Sequence, residues 1–127
     1  MSAEPTLYER VGGDVGVRAL VDRFYDHMDT DPSAAAVRSM HPRDLSGSRD
    51  KLYDFLCGWL GGPQRYVEKH GHPRLRARHL PFPINADGVA QWMLCMRGAL
   101  EGVEDADARA AIEGALARLA DHMRNVE

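Results

Sequence analysis

His79 is the side chain in this sequence best placed for ligation chemistry. It follows a basic lead-in, with Arg65, Lys69, Arg74, Arg76 and Arg78 set against one acid, Glu68, and it opens directly into the apolar run Leu80-Pro81-Phe82-Pro83-Ile84. Each proline locks its own φ and biases the residue before it away from helix, which holds that run extended. A lone histidine is ordinarily surface or core filler. An imidazole flanked by apolar residues is also a common iron or zinc ligand, and its second nitrogen needs an acceptor, often a backbone carbonyl, to orient it. The basic lead-in and stiff apolar exit suit a ligand held at the edge of an apolar slot, with anionic groups nearby.

His70, His72 and His79 together could be read as a zinc set. Their spacing matches no ordinary zinc arrangement, and no cysteine or carboxylate cluster completes a tetrahedron. Tyr25 and Trp92 fall on the inward stripes of two helices; periodicity makes them amphipathic core residues whose polar tips find a carbonyl or water. The alternative aims both polar hydrogens at a ligand in one apolar pocket. His41 precedes a proline, where an exposed loop histidine is the ordinary reading. Arg74, Arg76 and Arg78 alternate, so an extended segment would put them on one face, either solvated or gripping carboxylates or phosphates with their planar forks. Lys51 could point the same way.

These residues are positioned by helices. Thr6–Val11 is a short helical candidate stopped by Gly12-Gly13. From Asp14, Val17, Leu20, Val21, Phe24, Tyr25 and Met28 make one apolar face at helical spacing. Pro32 opens a short helix through Ala34 to Met40. Ser46 or Ser48 caps the next run, whose stripe is Leu52, Phe55, Leu56, Trp59 and Leu60. Gly61 to Ile84 reads as one long irregular segment, of a length that is usually functional. Asn85 or Asp87 begins a helix with Val89, Trp92, Met93, Met96, Ala99, Leu100 and Val103 inward. The last helix, from about Asp107, buries Ile112, Ala115, Leu116, Leu119, Met123 and Val126. No segment alternates with a strand's period, so the expected class is all-α, with four substantial helices in one domain spanning residues 1–127.

Composition narrows the function. With 127 residues, 44% hydrophobic, 28% charged and a net charge of -3, the chain resembles an ordinary globular domain and not a nucleic-acid binder, so its basic stretch is aimed at something small. Cys57 and Cys95 lie in separate helical runs, which points to reduced thiols. No run approaches a membrane span and the N-terminus lacks a signal-peptide core, so a cytoplasmic location is expected.

Several of these motifs together resemble the group II truncated haemoglobins. They are Tyr8-Glu9-Arg10-Val11-Gly12-Gly13, Arg23-Phe24-Tyr25, Trp59-Leu-Gly-Gly-Pro63, Gly71-His-Pro-Arg-Leu-Arg-Ala-Arg-His79 with Pro81-Phe82, and Trp92-Met-Leu-Cys-Met96. The resemblance covers most of the chain and is most specific from Gly61 to Trp92. It implies a truncated globin-like two-over-two helical sandwich around one haem b (iron protoporphyrin IX), with His79 as the proximal iron ligand. Tyr25, Trp92 and His41 match distal positions; the family often has tyrosine where this chain has His41. Ser48 matches the distal position where many globins place histidine, which shifts the work of holding a ligand to the other three. Leu52, Phe55, Leu56, Phe82, Ile84 and Met96 are then haem-pocket residues. Lys51, Tyr66, Arg76 and Arg78 are candidates for the propionates.

One imidazole leaves a sixth iron position for oxygen, nitric oxide or carbon monoxide, and distal polarity then separates binding from activation. Donors from Tyr25, Trp92 and His41 are each expected to contribute roughly 1–2 kcal/mol, so two acting together slow oxygen release on the order of a hundredfold. Two alternatives stand beside this oxygen-binding reading. One is a haem redox enzyme, oxidising nitric oxide or acting as a peroxidase with an external electron donor. The other is a haem-free helical module for anions or partner proteins. A monomer or weak homodimer is expected.

Overall fold

The computed structural model describes residues 4–127, and among them every regular element is helical. They are α1 (Leu7–Arg10), α2 (Gly13–Thr30), a 3-10 turn (Pro32–Ala34), α3 (Ala35–Ser39), α4 (Ser46–Trp59), α5 (Arg65–His70), α6 (Leu75–His79), α7 (Ala86–Leu100) and α8 (Ala106–His122). The four long ones are those the apolar periodicity announces. α2 packs against both α4 and α7, and α7 against α8, so one helix pair lies over another in the two-over-two arrangement.

The stripe of α2 is the centre of the core. Val17, Leu20, Val21 and Phe24 are fully buried, and Tyr25 and Met28 nearly so. Facing it are Leu56 and Cys57 of α4 and Met93, Met96 and Leu100 of α7, with Ile112 and Leu116 of α8 beyond. Cys57 and Cys95 are both buried free thiols. Burial pushes the Cys95 thiol up to about 11, which keeps it protonated and inert.

Local chemistry sets the helix starts. Thr6 and Glu9 form a reciprocal capping box on α1. Asn85 Oδ1 accepts the Gly88 N–H at 2.9 Å to start α7. Asp105 Oδ1 accepts the Ala108 N–H to start α8, and the same carboxylate takes two hydrogen bonds from Arg10 at 2.9 Å, which ties α1 to α8. Neither Ser46 nor Ser48 caps α4, contrary to expectation. The N-cap position is Leu45, without a side-chain cap, and Asp44 just before it accepts the Ser46 backbone N–H at 2.9 Å and its hydroxyl at 2.5 Å.

The stretch from Gly61 to Ile84 differs most from its sequence reading. It carries two short helices, α5 and α6, where one irregular segment was expected. Five or six residues are too few to show a helical period, and helices so short are not stable without tertiary support. Because residues 75–79 are helical, Arg74, Arg76 and Arg78 do not share an extended face. Val126 is 44% exposed where burial was expected, since α8 ends at His122.

A close approach early in α2 holds α1 against it. A Cβ on Gly16 would sit 1.9 Å from the Val11 carbonyl oxygen, whereas one on Gly47 would meet nothing within 4 Å. Gly16→Ala is therefore expected to destabilise the fold by about 3 kcal/mol in urea unfolding, and Gly47→Ala to change it by no more than about 1 kcal/mol.

Candidate functional site

Several apolar positions on the core stripes stay half-buried although their helical neighbours are covered. Leu52, Phe55, Val89, Trp92 and Leu119 are of this kind, while Leu56, Met93 and Leu116 beside them are buried. The difference is a cavity of about 440 Å³ that these side chains face. Its volume and largely apolar walls suit a small-molecule or cofactor site.

His79, at the end of α6, lines this cavity. Its Nδ1 lies 2.5 Å from the carbonyl oxygen of Leu75, one turn earlier in the same helix. A carbonyl only accepts, so Nδ1 carries a proton, and in the neutral ring the lone pair is therefore on Nε2. Carbonyl support at one nitrogen, leaving the other as a ligand atom, is the usual arrangement of a metal-binding histidine.

Tyr25 of α2, Trp92 of α7 and His41 after α3 line the same cavity, as do Ser48 and Lys51 of α4. Phe24, fully buried, props two of them: its ring centroid is 4.9 Å from that of Tyr25 and 5.0 Å from that of Trp92. The rings of Tyr25 and His41 meet edge to face at 5.8 Å. Burial raises the Tyr25 phenol well above its ordinary value, against a smaller opposing effect of the Arg49 guanidinium, so it is a proton donor at neutral pH. Arg38 fixes the segment bearing His41, reaching Asp29 at 2.9 Å and the carbonyls of Pro42 and Arg43 at 3.0 and 2.9 Å.

His41 differs from its expected role as a third donor. Its Nδ1–H is committed to the Val37 carbonyl at 2.9 Å, and Nε2 of the neutral ring is an acceptor. Burial lowers its pKa, and the nearby charges of Arg38 and His79 push the same way, against the Val37 bond.

The remaining candidates divide. Leu52, Phe55, Leu56, Phe82 and Ile84 line the cavity, whereas Met96 is fully buried in the core away from it. Of the four residues considered for anionic groups, Lys51 alone is part of the lining. Tyr66 packs on His70, with ring centroids 4.8 Å apart, and Arg78 lies over Tyr66 while donating to the Pro73 carbonyl. Arg76 is bound to the carbonyls of His122 and Arg124, both at 2.8 Å. His72 accepts the Arg74 N–H. Val37, Met40, Leu75 and Met123 also line the cavity and were not picked out as site residues. Met123 was legible on the α8 stripe; the other three sit on elements too short to show one.

The model of the bacterial-like globin family matches residues 6–125. The chain belongs to that family. Among curated proteins this globin is similar to the group 2 truncated hemoglobin YjbI of Bacillus subtilis, at 40% identity over 93% of this chain and 87% of that one. Among solved structures it is similar to the group II 2-on-2 hemoglobin of Agrobacterium tumefaciens, with 55% identity, all of both chains covered and a TM-score of 0.95. It is also similar to the truncated oxygen-avid haemoglobin of Bacillus subtilis, at 38% identity, covering 95% and 100% of the two chains with a TM-score of 0.86. The globin is accordingly a group II truncated haemoglobin and a haem-binding protein.

The residues present fit that cofactor. Apolar walls suit the porphyrin face, Lys51 supplies a cation for its carboxylates, and His79 offers one nitrogen with its tautomer already set.

Because His41 binds its proton less well folded than unfolded, falling pH costs the fold stability below the ordinary value of 6.5. In an NMR titration its ring protons should shift at a pH below 6.5, and His41→Leu should flatten the loss of apoprotein stability between pH 7 and 5. A His41 titration above 6.5 would contradict the burial argument.

Proposed function

We propose that this globin binds one haem b through Nε2 of His79 and holds oxygen tightly, releasing it slowly. The observation that carries the reading is that one tautomer-fixed imidazole and two side chains with polar hydrogens, Tyr25 and Trp92, line one largely apolar cavity. Haem supplies an iron centre that takes up a diatomic such as oxygen, nitric oxide or carbon monoxide.

The protein's own residues then decide how long the diatomic stays. Oxygen gathers negative charge when held in such a site, so hydrogen-bond donors stabilise it. The Tyr25 hydroxyl keeps its proton because burial disfavours the phenolate. The Trp92 indole N–H is a donor only and cannot be titrated away. Low polarity around them strengthens each bond. With Nδ1–H given to the Val37 carbonyl, Nε2 of neutral His41 can only accept, and becomes a donor when the ring is protonated. Ser48, small and half-buried at the cavity, leaves these two side chains as the principal donors. The similar Bacillus subtilis protein described as oxygen-avid supports the same reading.

Stopped-flow oxygen release tests it. Tyr25→Phe and Trp92→Phe should each accelerate release about tenfold, and the double variant on the order of a hundredfold, from roughly 1–2 kcal/mol per buried hydrogen bond. Rates equal to that of the unaltered protein in both single variants would refute the assignment.

A further inference from the structure

The helix that carries His79 has little to hold it from within. α6 has five residues, begins after Arg74 in a left-handed conformation with φ of 48°, and contains no buried residue. A helix of one turn and a half does not persist on its own in water. Its position must come from elsewhere in the chain.

Two groups of bonds reach it, and both come from the last residues of the chain. Arg76 Nη1 donates to the carbonyls of His122 and Arg124, each at 2.8 Å. On the other side, the Asn125 amide Nδ2 donates to the carbonyls of His79 at 3.2 Å and Phe82 at 2.9 Å, while its Oδ1 accepts the Ile84 N–H at 3.0 Å. The backbone N–H groups of Asn125 and Val126 both return to the Ile84 carbonyl. Two acceptors and one donor fix which end of the amide is which. Both hydrogens of Nδ2 are engaged, and no other side chain of this size offers two donors and an acceptor in one plane.

We propose that Asn125 is a positioning residue for His79: the chain's C-terminal segment straps the short proximal helix, setting where His79 Nε2 is presented to the haem. The claim rests on the proposed ligation by His79. Asn125 caps the carbonyl of His79 itself, from 46 residues away, while Leu75 holds its ring. Arg76, a candidate for the haem carboxylates on sequence grounds, is part of the same strap.

Asn125→Asp retains an acceptor for the Ile84 N–H but sets a carboxylate oxygen against two carbonyls. Asn125→Ala removes all three side-chain bonds without repulsion. Three readouts separate positioning from general stability: the rate of haem transfer to an apomyoglobin acceptor, the iron–histidine stretching band of the ferrous protein, and amide hydrogen exchange in the apoprotein. Haem loss should be about tenfold faster in Asn125→Ala, as expected for losing three modest hydrogen bonds, and faster still in Asn125→Asp. The stretching band should broaden or shift. Exchange should rise across residues 75–84 with α2 and α7 unchanged.

Haem loss and band position unaltered in both variants, with His79→Ala unable to hold haem normally, would overturn the strap alone. Exchange that rises as much in α2 and α7 as in residues 75–84 would also overturn it, and this holds even if the holoprotein proves too unstable to purify. A His79→Ala protein that keeps haem as tightly as the parent would overturn the ligation reading, and the strap with it.

Discussion

The hydrogen bond from His79 Nδ1 to the Leu75 carbonyl is the constraint on which the site turns. It fixes the ring orientation, and the tautomer of the neutral ring, with one backbone acceptor one helical turn away, so no further side chain is needed to orient Nε2. For it to form, residues 75–79 must be helical. That requirement explains why the stretch between α4 and α7 is not the extended loop that its prolines and charges suggest. Pro81 and Pro83 instead act after the helix, ending it and turning the chain toward the start of α7.

Around this bond the molecule divides its work. α2 supplies the packed centre and, at Tyr25, a part of the cavity wall; α7 adds Val89 and Trp92 to that wall. Both Tyr25 and Trp92 stand against the fully buried Phe24, so these side chains are carried by the packed core. His79 sits instead on a short helix tethered to the C-terminal residues. Under the proposed ligation, a core-backed side with Tyr25 and Trp92 and a tethered side with His79 are different physical solutions to one demand, that polar groups be held closely in place around a flat ligand.

The four long helices were legible because each repeats its apolar residues at a helical period over 14 residues or more. Tyr25, Trp92 and His79 were legible as chemistry-bearing residues, although their convergence was not: nothing in periodicity says that stripes on α2 and α7 open onto one cavity. The family motifs suggested it. α5 and α6 were missed because five or six residues carry no period. The Asp44 bond to the first residue of α4 was missed because serine two residues later fits the rule for a cap. The bonds of Arg76 to the His122 and Arg124 carbonyls were not legible either, since a basic residue near His79 reads as an anion contact until the end of α8 is seen beside it. The tautomer of His41, which turns an expected donor into an acceptor, depends on one carbonyl position and has no sequence signature at all.

The central claim is that a single imidazole, that of His79, is the protein's bond to the cofactor. The most direct measurement is the absorption spectrum of ferrous His79→Gly protein mixed with haem, recorded before and after adding free imidazole. The account predicts a loosely held haem with an altered spectrum that returns to the parent form when imidazole refills the position. A parent-like spectrum and stable haem without added imidazole would contradict it.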